Sequence, residues 1–218
     1  GYPDELNKLN VANRRDSWCG KISVCNNLYQ YGIKYSITTK HVVHPTDPSF
    51  QADLQKFLGV CRVVKGMKNV RIGAIGARPT AFNTVRYSEK ILQKNGISVV
   101  TCDLSEILGK ANKLDITHQR VKDHLEKIHN YASTGKTPSE SLIQMAKLDV
   151  VLNDFMTENQ LDANAIQCWT SLQQNYGCNV CTSSSMFSEG MIPSACEVDV
   201  TGTLSMYAMQ LASGSPSA

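Results

Sequence analysis

The feature that most constrains this chain is an alternation, sustained from Val70 to the C-terminal region, of short strand-like runs with helix-patterned segments. Val70-Arg-Ile-Gly-Ala-Ile75 reads as a strand entering the turn Gly76-Ala-Arg-Pro79. A helix is predicted over Thr84–Asn95, stopped by Gly96, and Ile97–Thr101 reads as the next strand. Helices are expected over Asp115–Ala132 and Pro138–Asn159, the second opened by Pro138 and the acidic first turn that follows. Ala163–Trp169 is a strand, a helix follows Gly177, Ser194–Val198 is a short strand and Thr203–Leu211 a helix. Connections of crossover length join parallel neighbours, so the pattern predicts an α/β fold with a mainly parallel sheet flanked by helices.

The first third reads differently. A helix over Asp16–Gly32 leads to a strand at Ile33–Thr39, where Ile33, Tyr35 and Ile37 alternate. After the loop Pro45–Pro48, residues Phe50, Leu54, Phe57, Leu58, Cys61 and Val64 keep helical spacing to about Lys65. Gly66 closes that helix, and Lys68-Asn69 marks a domain boundary, dividing the chain into residues 1–68 and 69–218.

Composition excludes several classes. Lys and Arg number 22 against 19 Asp and Glu, a net charge of +3 spread along the chain, which argues against nucleic acid or an anionic membrane as partner. No apolar run approaches the roughly 18 residues of a membrane span. The opening Gly1-Tyr-Pro-Asp-Glu-Leu has the basic and apolar regions of a secretory leader in neither place, and lacks an initiating Met, so the chain reads as a cytoplasmic piece of something longer. Its eight cysteines are diluted among apolar segments and read as free thiols in a reducing compartment.

Most chemical motifs fail on spacing. Gly73-Ala-Ile-Gly76 lacks the third glycine of a dinucleotide loop, and no phosphate-binding glycine-lysine loop exists. Cys178-Asn-Val-Cys181 has no second pair for zinc, so both cysteines read as unbridged, metal-free packing at a helix start. His118, His124 and His129 read as solvated positions, leaving His41 as the histidine best placed for function, after the Ile33 strand. Glu197 is the most suggestive residue. Glu197-Val-Asp199 ends an apolar strand, and alternation would put both carboxylates on one face, suited to a hard cation or to acid–base work. Gln167 and Trp169, at the end of another strand, add an amide and a ring suited to a polyhydroxylated ligand.

Ala195-Cys-Glu-Val-Asp-Val-Thr-Gly202, followed by an apolar helix, resembles a landmark of the L-fucose/L-arabinose isomerase-like family. Ala165-Ile-Gln-Cys-Trp169, Arg71-Ile-Gly-Ala-Ile-Gly-Ala-Arg78 and Asp16-Ser-Trp-Cys-Gly20 resemble others in the same order. The resemblance implies a Rossmann-like three-layer domain over residues 69–218, preceded by the C-terminal part of a first α/β domain and followed by a domain beyond Ala218. It implies Mn²⁺-dependent interconversion of an aldose and a ketose through an enediolate, and assembly as trimers or hexamers. By the same resemblance Glu197 is a metal ligand that also carries the proton, Gln167 touches substrate, and Asp199 acts from behind the ligand. The remaining ligands would lie roughly two dozen residues and more past Glu197, since a hard cation needs several oxygen donors.

The sequence therefore predicts part of a sugar isomerase, with the sugar a fucose, an arabinose or a sulfonated hexose, and with incomplete, inactive chemistry in this chain alone. The alternative is a non-catalytic sugar-binding or oligomerisation module, which predicts a leader and stacking aromatics, whereas aromatics are 7% of residues. In either case apolar surface near Met206 and Leu211 is expected to be exposed or covered by another copy.

Overall fold

The computed structural model describes residues 1–217. The chain forms two compact units, residues 1–61 and from Arg62 onward. The first unit contains helix α1 (Ser17–Gln30), a loop, and the start of α2 (Pro48–Gly66), which begins on a proline whose missing N–H costs nothing at that position. The strand expected at Ile33–Thr39 is absent, and Ile33, Tyr35 and Ile37 are exposed. A strand needs a partner for its backbone groups, and all described strands lie in the second unit. Here Asp53 anchors the segment instead, accepting from Thr39 N at 2.8 Å and Thr39 Oγ1 at 2.7 Å.

The second unit is built on a four-stranded, all-parallel sheet in the order β2-β1-β3-β4. The strands are β1 (Arg71–Ile75), β2 (Ser98–Cys102), β3 (Ala163–Ile166) and β4 (Ser194–Cys196). Register pairs Gly73 with Val100 on one side and with Asn164 on the other, and Ala165 with Ala195. Both faces are covered, as a parallel sheet requires. Ile75 and Ile166 enter a core shared with α4 (Leu104–Asn112), α5 (Gln119–Tyr131), α6 (Ser139–Glu158) and α7 (Cys181–Glu189). Ile72, Ala74 and Ala165 face the other core, with Leu92 of α3 (Glu89–Lys94) and Val200 of α8 (Val200–Ser213). The predicted three-layer α/β fold is the observed one.

Several local readings change. Thr84–Asn95 is not one helix: a single 3-10 turn at Asn83–Val85 gives way to extended backbone at Arg86, and α3 begins only at Glu89. Tyr87, in the break, packs against the Ile72 core. Helix α4 was not expected, although Asp103 caps it by accepting from Ser105 N at 2.7 Å and Leu104, Ile107 and Ala111 share its buried face. Asp115 does not start α5; its carboxylate closes a turn onto Thr117 N at 2.7 Å, and His118 caps the helix. A single-turn π-helix occupies Leu172–Tyr176. No helix among the described residues is long and apolar enough to cross a membrane.

Candidate active site

Chain order and sheet order diverge between β1 and β3: β2 lies on one side of β1, and β3 returns to the other. In open parallel sheets ligands bind beyond the strand carboxyl ends at such a switch point. Here the residues just past β1, β3 and β4 are Gly76 to Arg78, Gln167 to Trp169, and Glu197 to Asp199.

Gln167 ties the first two groups together. Ala77 N donates to its Oε1 at 2.9 Å, and its Nε2 donates to Trp169 O at 3.1 Å. The amide thus braces two strand ends rather than standing free. Gly76 makes the brace possible, with φ of +86° and a position where a β-carbon would lie 2.5 Å from Gln167 Oε1. Trp169 is 55% exposed, its ring edge-on to Phe82 at 5.6 Å between centroids.

Glu197 does not continue β4. It and Val198 both adopt left-handed backbone, φ 61° and 56°, so the expected alternation that would place Glu197 and Asp199 on one face is broken. Asp199 instead caps α8, accepting from Gly202 N at 2.8 Å and Thr201 Oγ1 at 3.1 Å. Glu197 Oε2 is buried and has no hydrogen-bond partner, and burial raises its carboxyl above the ordinary range. A divalent cation would supply the missing partner, and a carboxylate oxygen is the donor a hard cation takes, so Glu197 fits Mn²⁺ as one ligand. Asp199, spent on its helix, does not add a second.

Sequence reasoning missed the cleft beside these residues. About 300 Å³ opens between Gly76, Arg78, Arg86, Tyr87, Thr101 and Val198. Two guanidinium groups in one concave site suit an anionic substituent. Arg78 also folds its own loop, donating from Nη1 to Pro79 O at 2.8 Å. The only forewarning was two arginines flanking a strand-end turn.

The histidines divide. His41 lies in the first unit, edge-on to Trp18 at 4.5 Å, in an apolar cleft with Ile22, Tyr29 and Tyr35. His124 is not solvated as expected: its ring is nearly buried on the inner side of α5, with Nδ1 3.8 Å from Asp149 Oδ2. Cys178 is buried packing, its thiol pushed up to about 12 by burial and then by Asp149, whereas Cys181 is exposed.

The comparisons agree with the motifs. Residues 1–68 match the family model described as fucose/sulfoquinovose isomerase, N-terminal domain. The chain is 25% identical over 172 residues to a sulfoquinovose isomerase of Priestia megaterium, covering 78% of this chain and 38% of that protein. It is 27% identical over 165 residues to one from Alkalicoccus urumqiensis, covering 75% and 37%, and 27% identical over 166 residues to one from a Clostridium species, covering 75% and 36%. This chain spans less than two-fifths of the length of these relatives. Its resemblance is to the fucose/arabinose isomerase-like family.

Proposed function

We propose that this chain is the sugar-handling part of an aldose–ketose isomerase similar to the fucose- and sulfoquinovose-type enzymes, with Glu197 as its central acid. The observation that carries the reading is the buried, unpartnered Glu197 oxygen just past a parallel strand. Aldose–ketose interconversion moves a proton between adjacent carbons through an enediolate, and a positioned carboxylate can take that proton up and return it. A carboxyl held above its ordinary range by burial suits both halves of that transfer.

Mn²⁺ belongs to the same proposal, with Glu197 as the ligand from this chain. When bound, such a cation stabilises negative charge on neighbouring substrate oxygens. The chain's other residues position. Gln167 fixes the ends of β1 and β3, Trp169 offers an exposed ring to the apolar face of a sugar, and Asp199 sets the start of α8. Arg78 and Arg86 favour a sugar with an anionic group, a sulfonated hexose, over fucose or arabinose. Residues 1–68 as the end of a first α/β domain, a cytoplasmic setting and trimeric or hexameric assembly complete the reading.

The test is interconversion of sulfoquinovose and its ketose with added Mn²⁺, using the natural full-length protein. Expected are turnover that Glu197→Gln abolishes, and a KM that Arg86→Ala raises for the sulfonated sugar more than for fucose. Sugar binding without any conversion would replace this reading with that of a non-catalytic sugar-binding module.

A further inference from the structure

Three cysteines that are far apart in sequence meet in space. Cys168 lies two residues past β3, Cys181 is the first residue of α7, and Cys196 is the last of β4. Their Sγ atoms all lie within 4.8 Å of one another. Four sulfurs or nitrogens around a tetrahedral zinc ion at about 2.3 Å are separated by about 3.8 Å, so small side-chain rotations would close these three onto one ion. None is in a disulfide. Cys178, the sequence neighbour that forms a C-x-x-C pair with Cys181, is not in the group.

Two further observations point to a ligand. Gln173 Nε2 donates toward Cys168 Sγ at 3.9 Å, the outer contact that orients a sulfur ligand and supports its charge. Cys181 is exposed and lines a cleft of about 430 Å³ with Met145, Gln173, Asn179 and Thr182, which gives an ion a path in.

We propose that Cys168, Cys181 and Cys196 form a three-thiolate site for a thiophilic divalent cation, Zn²⁺ in the first instance, with the fourth position open to the cleft. Each thiol releases its proton to solvent as its sulfur binds. The donor set separates this site from an oxygen-seeking Mn²⁺, so the two proposals are independent. Its place in the fold gives it work to do: the ion would clamp the ends of β3 and β4 to the start of α7, one residue from both Gln167 and Glu197.

The experiment titrates the reduced chain with Co²⁺ and then Zn²⁺, under argon. One equivalent of Co²⁺ should produce the near-ultraviolet absorption of thiolate-to-metal charge transfer, which oxygen ligands do not give, and one equivalent of Zn²⁺ should remove it. Cys181→Ser is the decisive variant because Cys181 is exposed and its loss leaves the core intact. It should abolish the absorption and weaken Zn²⁺ binding by more than the roughly 100-fold that loss of an outer partner can cost. Cys61→Ser, also at an exposed cysteine, should change nothing. Absence of the absorption in the parent chain, its persistence in Cys181→Ser, or its loss in Cys61→Ser would overturn the proposal.

Discussion

Gln167 Oε1 occupies the space in which a β-carbon on Gly76 would lie, so the end of β1 and the end of β3 can approach only because residue 76 is glycine. The same residue sits at φ +86°, a second and separate demand for glycine. Gly76→Ala should therefore destabilise by about 2–5 kcal/mol, the sum of left-handed strain and overpacking. Adding Gln167→Gly should recover the packing share and leave the backbone share. Urea unfolding of both single variants and the double variant measures the split, and strict additivity would mean the two residues are not coupled.

Glu197 and Asp199 should separate cleanly on substitution. Glu197→Gln should weaken Mn²⁺ binding, followed by the relaxation of water protons, while leaving the melting temperature without metal nearly unchanged. Asp199→Ala should do the reverse, costing about 0.5–2 kcal/mol through the lost α8 cap. Asp199→Asn keeps a capping oxygen and should be close to neutral. Equal loss of Mn²⁺ affinity in Asp199→Asn and Glu197→Gln would return Asp199 to the metal site.

Asp103 supplies a pH dependence. Its carboxylate accepts from the Ser105 side chain and backbone, which hold it below the usual range. A depressed folded value means that its stabilising share is present above the unfolded value, near 3.8, and is lost as pH falls through the folded one. Asp103→Asn should retain the cap on α4 and flatten that part of the acid limb. Urea midpoints between about pH 2 and pH 5 check it, the window in which carboxylates take up protons. An unchanged slope would assign the acid limb to other groups.

Asn164 is fully buried and carries a polar connection through the sheet. Ser194 Oγ donates to its Oδ1 at 2.6 Å, and Thr203 Oγ1 donates to its backbone carbonyl at 3.0 Å. Ser194→Ala leaves that amide oxygen without its partner and should cost about 1–3 kcal/mol. Asn164→Leu with Ser194→Ala removes both polar ends and should cost less than the two single changes added together. Equilibrium unfolding of the four proteins in the cycle measures the coupling.

What the sequence disclosed follows from the range of the forces involved. The strand at Val70–Ile75 was legible because its apolar run ends at a glycine turn, and α6 because Pro138 opens a long apolar pattern. Ile33–Thr39 misled because alternation reports a preference for extended backbone but says nothing of a partner strand. Helix α4 was overlooked although Asp103 and the spacing of Leu104, Ile107 and Ala111 announce it. Glu197 reads from sequence as part of a strand over Ser194–Val198, but the strand stops at Cys196, because two consecutive left-handed residues cannot be read from Glu-Val, which ordinarily avoid that conformation. The cysteine group was invisible for a plainer reason. Its members lie 13 and 15 residues apart in sequence and are brought together only by the parallel register of β3 and β4 and the helix between them.

The brevity of β4 has a consequence for the molecule in company. As described, it is an edge of the sheet, where unpaired amides can recruit a strand from another chain. Three residues give an intruder little to zip onto, and the left-handed turn at Glu197 and Val198 bends the backbone away before a longer ladder can form. The turn that sets Glu197 apart from the strand thus also makes this edge a poor template for aggregation.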